Sequence, residues 1–138
     1  MDFDEYRRNY FAHPAPTPPF EVAGLRGVTL YVREFERAVA FYEKVLGPAA
    51  YVEGGNTRGW RLGDGWLTLL RDRLADSRYV EVTLRTPTSA EADRLREAFM
   101  AAGGNATEPT DTIHYEPVRL SHVTDPFGTR WLIVAPRG

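Results

Sequence analysis

Cysteine is absent from the 138 residues, which excludes disulfides, thiolate metal sites and cysteine nucleophiles. No apolar run approaches the ~20 residues of a membrane span, and the opening stretch holds none of signal-peptide length. Lys and Arg number 17 against 19 acids, so there is no basic excess to neutralise phosphates, and nucleic-acid binding is not expected. Also missing are a phosphate-cradling glycine loop, GxSxG and HExxH, which leaves hydrolase and nucleotide-binding readings without support. Together these absences point to a reducing compartment, with the cytoplasm as the expected location and no membrane partner.

What is present suits a folded protein. Hydrophobic residues make up 43% and charged residues 26%, and the length fits one domain. Residues 1–24 form a distinct N-terminal arm. Phe3, Tyr6 and Tyr10 have helical spacing, and Pro14, Pro16, Pro18 and Pro19 then force an extended segment. Such an arm straps the domain's own core or a partner subunit, or else lids a ligand site.

Residues 25–138 carry an internal repeat. In GVTLYV, Val28, Leu30 and Val32 share one face and Gly27, Thr29 and Tyr31 the other; YVEVTL repeats the pattern with Val80, Val82 and Leu84 against Tyr79, Glu81 and Thr83. A helix pattern follows each strand. The first has Phe35, Ala38, Val39, Tyr42, Val45 and Leu46 on its stripe and stops at Gly47. The second opens on Thr88 and Glu91 at capping-box spacing, carries Ala92, Leu95, Ala98, Phe99 and Ala102, and stops at Gly103. Each then runs into short strands that close with a matching turn, LGDGWLTLL or DPFGTRWLIV. Overlaying Gly65 on Gly128 sets Leu69 on Leu132. The expected fold is α+β: two βαβββ modules, about residues 25–73 and 78–136, whose curved sheets enclose a shared cavity.

The stretches GVTLYVREFERAVAFYEKVLG and DPFGTRWLIV resemble the first strand and helix, and the closing strand pair, of the vicinal oxygen chelate superfamily, which includes glyoxalase, extradiol dioxygenases and bleomycin-resistance proteins. Its metal-dependent members hold a divalent ion on His or Glu side chains at the first and last strand of each module. Carried over, those positions are Gly27, Leu69, Tyr79 and Leu132, none of them a histidine or a carboxylate. Neither a metal nor another cofactor is therefore expected. The resemblance also implies a homodimer.

Strand alternation nominates the cavity set: Thr29, Tyr31, Arg61, Leu69, Tyr79, Glu81, His122, Arg130 and Leu132 as ligand-binding residues, with Glu81 and His122 as catalytic candidates. A carboxylate in phase with Tyr79 and Thr83 must be paired or have a raised pKa. It forms a structural ion pair if Arg61 or Arg130 reaches it, and is available as a general base if neither does. His122 lies ten positions before Leu132, an offset at which the family's dioxygenases point a polar residue into the site. A displaced metal site on His114, Glu116 and His122 is the one alternative ligand set, although their spacing does not focus them. Trp60, Trp66 and Trp131 fall out of phase with the cavity and are expected to pack sheets on helices. The leading expectation is a metal-independent protein that binds a small molecule, such as an antibiotic or another amphipathic metabolite. Its rival is a metal-free enzyme moving a proton with Glu81 as base.

Overall fold

A computed structural model of the chain describes residues 2–74 and 79–137; residue 78, the expected start of the second module, lies outside them. Helix α1 spans Phe3–Tyr10, and the Asp2 side chain caps it by accepting from the Glu5 amide at 2.8 Å. None of its residues is buried, and its aromatic rings pack on one another, Tyr6 lying 5.0 Å from Tyr10. The arm is fastened at its other end, where Phe20 joins the second module's core under the Arg94 guanidinium.

The first module comprises β1 (Gly24–Val32), α2 (Phe35–Leu46), β2 (Tyr51–Glu53), β3 (Thr57–Leu62) and β4 (Gly65–Arg71). The second comprises β5 (Val80–Arg85), α3 (Ser89–Ala101), β6 (Asn105–Ala106), β7 (Thr110–Ile113), β8 (Pro117–Thr124) and β9 (Arg130–Pro136). The nine strands of the described residues join one curved, unclosed sheet in the order β2, β3, β4, β1, β5, β9, β8, β6, with β7 also on β8. The modules meet within the chain through antiparallel β1 and β5, with Val28 opposite Val82, while β1 runs parallel to β4 and β5 to β9. The chain thus adopts the expected α+β fold of two repeated modules, βαβββ in the first and, because β6 and β7 both pair β8, βαββββ in the second.

Each helix covers the same face of the sheet. Phe35, Ala38, Val39 and Tyr42 of α2 pack on Val28, Leu30, Trp60, Leu67 and Leu69. Ala92, Leu95 and Phe99 of α3 pack on Leu84, Val123, Trp131, Ile133 and Ala135. Burying these stripes is the main favourable term for both helices, because neither is long enough to be stable alone. The Thr88 hydroxyl accepts from the Glu91 amide at 3.1 Å, as its spacing implies. The Glu91 carboxylate, instead of closing a capping box, accepts from the Glu21 amide at 3.1 Å and so ties the arm to α3.

Strand register corrects the repeat in the first module. On the face away from the helices, Thr29 pairs Thr68 while Thr83 pairs Leu132, so the counterpart of Leu132 is Thr68, not Leu69. Leu69 is a fully buried member of the core under α2. The second closing turn is one residue longer than the first, as the pairs Arg61 with Trp66 and Thr124 with Arg130 show. A one-residue slip reverses every side chain. It therefore also moves Trp66 onto the concave face, whereas Trp60 and Trp131 pack beside the helices as expected.

Candidate functional site

Glu81 is the counterpart of Gly27 in the second module, because the β1/β5 pairing centres on Val28 and Val82. Only 2% of it is exposed. One carboxylate oxygen accepts from the Tyr31 hydroxyl at 2.8 Å, and the other lies 2.7 Å from His122 Nδ1. A carboxylate is an acceptor here, so Nδ1 donates and a neutral His122 carries its lone pair on Nε2. The His122 side chain is 48% exposed, so the ring bridges a buried carboxylate and solvent.

The electrostatics follow from these contacts. Hydrogen bonding to Glu81 raises the His122 pKa above its ordinary value, partly offset by burial. Burial, reinforced by Glu81, raises that of Tyr31 and keeps its hydroxyl protonated as a donor. Neither Arg61 nor Arg130 forms an ion pair with Glu81 among the described residues. Arg130 instead stacks on Tyr79, its guanidinium carbon 3.8 Å from the ring centroid, and Tyr79 meets Tyr31 edge to face at 5.0 Å.

These groups wall an open cleft of about 550 Å³ at the Tyr31 end of β1, together with Thr124. Five of the nominated residues meet there: Tyr31, Tyr79, Glu81, His122 and Arg130. Four do not. Leu69 belongs to the helix-side core, Leu132 is buried on the concave face outside the cleft, Thr29 borders a small central void, and Arg61 lies beside Trp66 at the far end.

The centre of the concave face is filled by a residue that sequence reasoning missed. Tyr115, at the tip of the β7/β8 hairpin, reaches across to the first module. Its ring stacks on Trp66 at 4.1 Å and its hydroxyl lies 2.6 Å from Thr68 Oγ1. It covers Gly59, where any side chain would collide with it. Tyr115 holds a left-handed backbone, φ 67°, which is rare for a bulky residue and is retained here by its packing. Beneath it remains a void of about 10 Å³ bordered by Thr29, Thr68 and Thr83, room for about one water molecule.

A second missed feature is a bulge in β1. Leu25 pairs Leu84 and Gly27 pairs Thr83, so Arg26 is the extra residue. The bulge turns Arg26 toward the concave groove instead of the helices, where it is buried and its Nη2 donates to the His114 carbonyl. Gly27 then lies so close to β4 that an added Cβ would enter the Trp66 carbonyl.

If Gly27 and Leu132 are the positions that the resemblance carries over, strand register makes their counterparts Glu81 and Thr68, which replace Tyr79 and Leu69 in the set of four. They do not suit a divalent ion. Only Glu81 offers a strong donor, and both its oxygens are engaged by Tyr31 and His122. His114, Glu116 and His122 do not converge either: among the described residues no three such donors do.

Comparison with known proteins agrees with the fold. The chain spans 86% of its own length, and 42% of the other's, against the Mn(II)-bound glyoxalase from Novosphingobium aromaticivorans, at TM-score 0.67 and 19% identity. Homoprotocatechuate 2,3-dioxygenase from Brevibacterium fuscum matches at TM-score 0.68 and 18% identity, over 88% of this chain and 40% of that one. Methylmalonyl-CoA epimerase from Mycobacterium tuberculosis matches at TM-score 0.63 and 17% identity, over 89% of this chain and 94% of that one. No curated protein matches significantly. The family model for the Glyoxalase/Bleomycin resistance protein/Dioxygenase superfamily matches residues 24–133, and the chain belongs to that superfamily.

Proposed function

We propose that the protein binds a small amphipathic molecule in the Glu81 cleft without a metal at the superfamily's ligand positions. The supporting observation is the hydrogen-bonded chain from Tyr31 through Glu81 to His122 at the wall of an open cleft, beside Arg130 stacked on Tyr79. Aromatic faces with a few fixed polar groups are the usual composition of an orienting pocket. An antibiotic or another metabolite with an oxygen-rich head is the class this wall favours. A thermal-shift screen of aromatic and glycopeptide-like natural products tests it: saturable stabilisation that Arg130→Ala weakens supports the reading, and silence across the panel removes it.

A second reading rests on the half-exposed His122 ring. A buried carboxylate fixing Nδ1 is the arrangement that orients a histidine for proton transfer at Nε2. In that role His122 is the base and Glu81 the positioning residue, whereas the sequence alone made Glu81 the base. The epimerase and glyoxalase among the structural neighbours are enzymes, although their likeness bears on the fold. Exchange of ligand carbon-bound hydrogen with solvent deuterium, lost in His122→Gln while binding persists, separates catalysis from sequestration.

Homodimerisation and a cytoplasmic location belong to the same proposal. Phe41, Val45 and Leu46 of α2 and the aromatic residues of α1 stay exposed, so apolar surface is left for a second copy. The modules complete the concave face within one chain, so such a dimer is not needed to close it. Among the described residues no helix is long and apolar enough to cross a membrane. Sedimentation velocity of the wild type and of a form lacking residues 2–12 measures the arm's part in assembly.

A further inference from the structure

The concave face has a second end. Gly24 pairs Arg85 where β1 begins, and the Glu81 cleft opens at the opposite end of the same strand pair. At the Arg85 end lies a groove of about 430 Å³ whose wall includes Arg26, Arg61, Arg85, Trp66, Tyr115 and Glu116. Three guanidinium groups face one carboxylate there.

Arg26 is the informative member. It is 3% exposed, its Nη2 donates to the His114 carbonyl and lies 4.0 Å from Glu116, its guanidinium carbon lies 5.4 Å from the Tyr115 ring centroid, and its Nη1 has no hydrogen-bond partner among the described residues. A buried guanidinium nitrogen without an acceptor is costly and uncommon. Glu116 is itself half exposed, so it offsets that charge weakly. Among the described residues no acid lies within ion-pair distance of Arg61 or Arg85; Arg61 donates from Nε to the Gly63 carbonyl and stacks on Trp66. The Arg26 pKa is lowered, first by burial, with Arg85 and Arg61 pushing the same way against Glu116 and Tyr115.

We propose that the groove around Arg26, Arg61 and Arg85 is an oxyanion-binding site that takes a carboxylate or phosphate group carried by a small molecule, distinct from the Glu81 cleft. Planar guanidinium forks suit both anions in two-point contact. The Trp66 and Tyr115 rings supply an apolar wall for the body that carries the charge. The β1 bulge has a purpose in this account: it turns Arg26 away from the helix-side core and toward the groove.

The test uses the whole chain at pH 7, with the arginine Nε–Hε signals followed by NMR during separate titrations with benzoate and inorganic phosphate. Saturable shifts confined to Arg26, Arg61 and Arg85 are expected. Benzoate saturating alone identifies a carboxylate site, phosphate alone a phosphate site, and both an oxyanion site of either kind. Arg85→Gln and Arg61→Gln, which alter less buried side chains and spare Arg26, should each weaken binding about tenfold, the loss of one charge-assisted contact. His122→Gln should leave it unchanged, which keeps this result separate from the fate of the Glu81 cleft. Linear shifts spread over all arginines, or unchanged affinity in both arginine variants, overturn the proposal.

Discussion

The buried Glu81 carboxylate holds the half-exposed His122 ring through Nδ1 at 2.7 Å, and Tyr31 occupies its other oxygen. Glu81→Gln keeps the shape but removes the charge, at an expected cost of about 1–3 kcal/mol in urea unfolding. The His122 pKa should return toward 6.5. Because the native value is raised, the contribution of His122 to stability is full below about pH 6.5 and is lost as pH rises from there through the raised native pKa. Histidine NMR titration of both proteins reads the shift directly, and identical curves would contradict the pairing.

His114 should act with the opposite sign. Burial lowers its pKa from 6.5 to about 4, with Arg26 adding to the effect. Its neutral form belongs to the native state, so stability is full above about pH 6.5 and declines as pH falls toward about 4. His114→Gln should flatten thermal stability across that acid window and leave the alkaline side unchanged.

Gly59 and Tyr115 form a steric pair. Gly59→Ala places a methyl group against the Tyr115 hydroxyl and ring, and overpacking of this kind costs about 1–3 kcal/mol. Tyr115→Phe removes the hydroxyl that meets both that methyl and Thr68, so the double variant should recover part of the loss. A double-mutant cycle in urea gives the coupling, and strict additivity would show that Tyr115 does not rest there.

Gly27→Ala should be far more severe. The clash is with the Trp66 backbone carbonyl, which cannot rotate aside, and Gly27 also has a positive φ of 153°. The expected cost exceeds about 4 kcal/mol, enough to prevent recovery of folded protein, and circular dichroism of the purified variant checks it.

How far the sequence could be read depends on the range over which each feature acts. Alternation in β1 and β5, the α2 and α3 stripes and the Thr88 cap are local, and each is visible in a few residues. Matching Gly65 to Gly128 misplaced Leu69 and Trp66 because two turns of unequal length both contain glycine. The Arg26 bulge leaves no mark in the alternation, since an arginine before a glycine reads equally well as a strand end. Tyr115 was hidden for another reason: its partners Gly59, Thr68 and Trp66 belong to the other module, and nothing in HYE signals that reach. Glu81 was singled out correctly as a buried carboxylate needing a partner, but which partner it takes is decided by the register of β8 on β9.

The bulge in β1 also limits what can stand at position 27. The extra residue at Arg26 presses Gly27 against the next strand. A histidine cannot be installed there by exchanging one amino acid for another. The strand must first lose a residue. A side chain at position 27 therefore needs a shorter β1 as well as a different amino acid, a change that a point mutation does not make.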